Sequence, residues 1–234
     1  MQNKTLIAVL GILIYAVFLG IGWTEGTLKY YWPDALFFSA LILFFYFSFG
    51  YWRLNSPIYT LLVLSFALHL CGIFGWYNTS PVQLSWDHIT HAFPMFTFTV
   101  LLYNFARQWM ADKFWSAKTW GIMLLVLLSG LGIGAVVENI EFFGYLTVGA
   151  GEGGLFFGGA GDGQPVTSAQ MDIIQDLGGG YINTELDLVW NALGAMAAII
   201  LMSIIHFARK KEPSGTGQSS PQMPCPLTSS WRLQ

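Results

Sequence analysis

TWGIMLLVLLSGLGIGAVVENIEFFGY, residues 119–145, runs nineteen residues from Thr119 without a charge before it meets Glu138 and Glu141 near its far end. A helix needs ~20 predominantly apolar residues to cross the ~30 Å hydrocarbon layer of a bilayer, so this stretch reads as a transmembrane span. Five more stretches read the same way: roughly Thr5–Trp23, Ala35–Trp52, Pro57–Tyr77, Trp86–Ala106 and Thr184–Phe207. Aromatic residues such as Trp23, Tyr30, Tyr31, Trp32, Tyr51, Trp52, Trp76, Tyr77, Trp86, Trp120 and Tyr145 mark their ends as interfacial belts do. The expected fold is all-α, a polytopic membrane bundle of six transmembrane helices within residues 1–211.

Composition agrees. Of 234 residues 54% are hydrophobic and only 10% are charged, against about 25% charged in soluble domains, and mean hydropathy is +0.54. These values exclude a soluble enzyme. Ten Lys and Arg at a net charge of −3 leave no basic surface for nucleic acid, and two distant cysteines exclude a disulfide framework or zinc-finger spacing. Cys71, inside an apolar run, reads as a small buried hydrophobe; Cys225 stands in a polar tail.

The few basic residues set the orientation. The first apolar stretch is long and no A-x-A-like cleavage site follows it, so it reads as an anchor and not as a signal peptide. With six spans both termini share a side, and that side holds Lys4, Arg53, Arg107, Lys113, Lys118, Arg209, Lys210 and Lys211, while the other holds Lys29. By the positive-inside rule both termini are expected in the cytoplasm, in a multi-pass protein of the cell (inner or plasma) membrane whose implied partners are membrane lipids. Residues 212–234, rich in Ser, Pro, Gly and Gln, read as a disordered cytoplasmic tail. The connection from 145 to 183 reads as an outer Gly-rich loop carrying Glu152, Asp162, Asp172 and Asp176. A loop of that length is either functional or disordered, and a flexible connector is the better fit.

Inside the membrane the polar residues are unevenly placed. His69 is the only ionisable residue of the first three spans away from their ends. Span four opens WDHITH: Asp87 and His91 are i,i+4 and His88 and His91 are i,i+3, spacings that share a helix face. Span five carries Glu138 and Glu141, and span six carries Asp187 with Asn191 one turn on. Span four starts on the outer side, span five ends there and span six starts there. The expected result is a polar cup facing the outer leaflet. Glu138 falls about 28 Å along its span and His69 about 18 Å along its own, both in the outer half. Asp34, Glu25 and His206 read as ordinary interfacial residues. Gly130, Gly132, Gly134, Gly194 and Ala195 read as small residues that allow close helix contact. Pro94 removes a hydrogen bond to the carbonyl of Thr90.

Four carboxylates and two imidazoles at a low-dielectric boundary need neutralising. A divalent metal ion would do it, since His with Asp or Glu suits zinc, iron or manganese; shared protons would also do it, which prepares acids and bases for catalysis. The metal or proton-carrying candidates are His88, His91, Glu138 and Asp187. The catalytic candidates are Glu141 as base, Asp87, and Asn191 as an orienting donor. Hydrogen-bonded polar side chains also act as interhelical glue, which is the non-catalytic alternative.

The order D-H-x-x-H (Asp87, His88, His91), then E-x-x-E (Glu138, Glu141), then D-L-x-x-N-x-x-G-A (Asp187, Leu188, Asn191, Gly194, Ala195) resembles YjdF-like bacterial inner-membrane proteins and, more distantly, VanZ-like proteins. VanZ-like proteins usually have Lys where His88 stands and Gln where Glu141 stands; YjdF-like proteins tend to carry Asp where this chain has Asn183. The resemblance implies a multi-pass cell-membrane protein and supplies no biochemical activity. Three readings follow: metal-assisted or acid/base chemistry on a lipid-linked or envelope substrate; a carrier or binding protein for a cation, a proton or a small ligand; and a structural protein whose polar cluster orders the bundle. The absence of internal repeats and midplane charges ranks transport below chemistry.

Overall fold

A computed structural model describes residues 3–25, 28–77, 80–148 and 179–211. Its long elements are helices: α1 (Lys4–Thr24), α2 (Leu28–Phe47), α3 (Ser56–Cys71), α4 (Trp86–Ala106), α5 (Ala117–Val148) and α6 (Gly179–Lys211). A π-helical turn, Gly72–Trp76, continues α3, and a 3-10 turn, Arg107–Trp109, closes α4. No strand occurs among the described residues.

Four stretches are long and apolar enough to cross a membrane: Lys4–Thr24, Ser56–Trp76, Ala117–Phe143 and Thr184–Ala208. Of the other two helices, α4 has a more polar sequence, because Asp87, His88 and His91 stand in its first two turns, and α2 carries a shorter apolar stretch, Asp34–Phe47. The second element also differs from the Ala35–Trp52 expectation: it begins seven residues earlier, ends at Phe47, and leaves Tyr51 and Trp52 in turns. The Gly-rich connection expected over 145–183 is helical at both ends, through Val148 and from Gly179. Its centre and the tail 212–234 lie outside the described residues.

Local chemistry explains the boundaries of α3. Asn55 caps its start, its side chain accepting from the Ile58 amide at 3.0 Å, and Pro57 occupies the first turn, where no amide donor is needed. At its other end Gly75 adopts φ +110°, a left-handed conformation that glycine takes without strain. The chain after it turns back, so that the Tyr77 ring packs over Gly72. The Trp86 indole donates to the Leu68 carbonyl at 3.0 Å and fastens the start of α4 to the end of α3.

The main core lies between α1, α2, α3 and α4, built from Tyr15, Phe38, Ile42, Tyr59, Leu62 and Leu70. A second cluster, Tyr103, Met110, Met123 and Val126, closes the end where α4 finishes and α5 begins. Large apolar side chains face outward along the helices, among them Leu13, Val17, Leu125, Leu128, Ile200 and Ile204. An exposed apolar surface of this extent suits lipid and not water.

The helices run antiparallel to their chain neighbours where contacts fix direction. Lys4 Nζ donates to the Tyr46 carbonyl at 3.4 Å, which places the start of α1 beside the end of α2. Asn104 Nδ2 donates to the Arg53 carbonyl at 2.6 Å, which places the end of α4 beside the start of α3. Tyr103 donates to Ser203 near the end of α6. Lys4, Arg53 and Arg107 therefore share one end of the bundle, while the starts of α4 and α6 and the far part of α5 meet at the other.

The closest pairing is α4 with α6, and small residues permit it. A Cβ on Gly194 would run into the backbone carbonyl of Ala92, one on Gly130 would come within 2.6 Å of Thr99 Oγ1, and one on Gly134 within 2.8 Å of Asn191 Nδ2. Gly132 departs from the expectation for these glycines. A Cβ there meets nothing within 4 Å, because two residues along a helix is about half a turn and Gly132 points into open space instead of the packed contact.

Candidate functional site

His91 is the hub. It is 6% exposed, and both of its ring nitrogens face carboxylates from three helices. Nε2 lies 3.5 Å from Asp87 Oδ1, one turn earlier in α4, and 3.8 Å from Asp187 Oδ1 of α6. Nδ1 lies 3.3 Å from Glu138 Oε1 of α5. Glu138 and Asp187 are buried as well. A neutral imidazole has one N–H, and ionised carboxylates only accept. Carboxylates at both nitrogens thus call for additional positive charge, either protons on the ring or carboxyls or a cation among them.

Two sets of side chains bring ligand atoms within 4.8 Å of one another: Asp87, His91 and Asp187, and His91, Glu138 and Glu141. They share His91, so the four carboxylates expected in the cup converge on a single imidazole. Neither set includes His88, the remaining ligand candidate. Its ring stacks on Trp190 of α6 at 5.0 Å between centroids and 21° between planes. Asn191 is buried at 1% exposure beside Gly134, and both its amide atoms lack a hydrogen-bond partner among the described residues.

A cavity of about 610 Å³ adjoins the cluster. His69, Tyr77, Thr90, His91, Glu141 and Asn191 line its polar end. The rest of the lining is largely apolar and comes from α2, α3, α4 and α5. Pro94 and Gly132 are on that lining too, so their places in the sequence serve the cavity's shape.

Asp34 overturns its expectation as an interfacial residue. It is fully buried, and its Oδ2 lies 3.4 Å from His69 Nε2. His69 Nδ1 in turn lies 2.9 Å from the Tyr77 hydroxyl, which donates onward to Thr90 Oγ1 at 3.3 Å, and Thr90 donates to the Asp87 carbonyl at 2.8 Å. A polar chain thus runs from α2 across α3 to the first turn of α4. The sequence signal for it was a lone His in one span and a carboxylate at the outer end of its neighbour, placed at one depth. Tyr77 carried no such signal, since a Tyr at a span end ordinarily marks an interface.

The family described as "Predicted membrane protein (DUF2238)" matches residues 6–208. The chain belongs to this family. It is an integral membrane protein whose apolar helices contact lipid. The match covers all six helices and the whole cluster, so the site lies within the family's common region. Comparison with the curated proteins and with the solved structures finds no match.

Proposed function

We propose that the cluster on α4, α5 and α6 is a divalent-metal and acid/base site that acts on a lipid-linked or envelope substrate. The observation that carries this reading is the convergence of Asp87, Glu138, Glu141 and Asp187 on His91 in a buried setting. Such a set is costly to hold in a low-dielectric bundle unless a cation or protons balance it, and ionisable groups placed there are ordinarily functional. Asp187 and His91, through Nε2, are ligands, with Asp87 completing that set; Glu138, against Nδ1, is the proton carrier; Glu141, which lines the cavity, is the base, and Asn191 supplies a donor toward bound substrate. A bound divalent ion would polarise a substrate oxygen or activate water.

The same reading places both termini in the cytoplasm, the cluster near the outer leaflet, and the protein in the cell membrane as six spans. The gathering of Lys4, Arg53 and Arg107 at the opposite end from the cluster supports this orientation. The motif order shared with YjdF-like proteins supports the assignment of the three helices as one unit.

Calorimetric titration of chelator-stripped protein in detergent with Zn²⁺ and Mn²⁺ tests the proposal. One ion per chain is expected. His91→Ala should weaken binding by well over the ~10–100-fold that outer-shell changes cost, while His88→Ala leaves it within that range. No saturable binding of either ion would overturn the metal part of the proposal.

A further inference from the structure

We propose that the cavity between α2 and α5 seats one hydrocarbon chain of a membrane amphiphile, entering sideways from the bilayer, with its polar head at the end lined by His69, Tyr77, His91, Glu141 and Asn191. This rests on the proposed function for the chemistry at the head and names where the substrate's chain lies.

Shape comes first. At about 610 Å³ the cavity falls in the ~300–1,000 Å³ range of small-molecule sites. Its body is lined by Phe38, Phe66, Met95, Phe98, Ile133 and Val137, and its ionisable groups gather at the end where α3 finishes and α4 starts. That division into apolar body and polar end is the outline of an amphiphile.

Access comes second. Among the described residues α2 and α5 are not a closely packed pair, and the lining residues Phe37 of α2 and Val136 of α5 are 43% and 56% exposed. The mouth between them opens on the lipid-facing side, so the chain meeting it in a bilayer is a lipid tail and not water.

Selection comes third. Lipid tails are as apolar as the lining, so a tail alone gains little by moving from bilayer to cavity. The head supplies the preference. Asn191, buried at the cavity wall with both amide atoms unpartnered among the described residues, gains hydrogen bonds from a polar head placed there.

Photolabelling with maps of the modified residues tests this. Cells expressing the protein are fed a diazirine fatty acid, which enters their acyl lipids; in a second arm, isolated membranes receive a polyprenyl phosphate with a diazirine on its chain. Label is expected on Met95 and Phe98 inside the cavity, beside general label on the outward-facing Leu124 and Leu128. The labelled arm identifies the chain as acyl or prenyl. Gly132→Phe fills the space that faces the missing Cβ and should lower the label at Met95 on the order of tenfold, the population change that 1–3 kcal/mol of overpacking produces, with Leu124 and Leu128 unchanged. Ser129→Phe, on the same lining, is the second blocking variant should the first not fold. Label confined to the outer face in both arms, or cavity label that persists with both blocking variants, would overturn the inference. Labelling reads the chain and not the ion, so protein without bound metal that still labels at Met95 overturns the proposed function alone.

Discussion

Replacing the glycines of the α4, α5 and α6 interface one at a time by Ala should separate them by what each new methyl group meets. In a helix interior Gly→Ala gains ~0.5–1 kcal/mol from propensity alone. Gly132 has open space around its missing Cβ, so Gly132→Ala keeps that gain. Gly134→Ala drives a methyl to 2.8 Å from Asn191 Nδ2 and 3.0 Å from its Cγ, a side chain that can give way. Overpacking of that kind costs ~1–3 kcal/mol, leaving a net loss of up to ~2 kcal/mol. Gly194→Ala meets the Ala92 backbone carbonyl, which cannot rotate aside, so α4 and α6 must separate and the loss reaches ~3 kcal/mol or more. At roughly 2–4 °C of Tm per kcal/mol for a chain of this size, the series spans a small rise for Gly132→Ala to a fall of ~6–12 °C for Gly194→Ala. Thermal unfolding of detergent-purified variants followed by tryptophan fluorescence reads it. Gly194→Ala should also weaken metal binding, since Asp187 sits two turns before Gly194 on the helix displaced. Equal Tm values for Gly132→Ala and Gly194→Ala would refute the packing argument.

Other outcomes follow from individual contacts. Tyr77→Phe removes the hydroxyl between His69 Nδ1 and Thr90 Oγ1 and leaves a buried ring nitrogen unpaired, a loss of ~1–3 kcal/mol measurable as lowered Tm. Asn104→Leu removes the donor to the Arg53 carbonyl, where Arg53 holds φ +52°, and should cost about as much by the same measurement while leaving metal affinity unchanged, because it lies at the opposite end from the cluster. A green fluorescent protein fused to the C-terminus should fluoresce in cells and an alkaline phosphatase fused there should be inactive; the reverse pair of results would invert the orientation.

Much of this was legible in the sequence because charge is scarce. Charge-free runs marked five of the six helices closely, and the sixth, α2, was displaced because Lys29 and Asp34 are polar residues that helical structure nevertheless includes. Spacing within α4 and helix direction across α4, α5 and α6 brought His91, Glu138, Glu141 and Asp187 to one level. What spacing could not supply was phase between helices. His88 and His91 are i,i+3 and compatible with one face, yet Trp190 of α6 offers His88 a stacking surface outside the cluster. Gly130, Gly132 and Gly134 look alike in sequence, but only the first and last share the side turned to α4 and α6. Asp34 and Tyr77 were invisible for a different reason. Both stand at span ends, where polar and aromatic residues ordinarily meet water, and only the turn at Gly72–Trp76 returns Tyr77 to His69.

Elemental analysis of the protein purified in detergent without added metal tests the central claim most directly, with the His91→Ala variant measured beside it. One transition-metal ion per chain in the wild type and its loss in the variant, with the helical circular dichroism of both unchanged, is the result that the convergence on His91 predicts. Metal absent from the wild type, or present at equal stoichiometry in the variant, would contradict it.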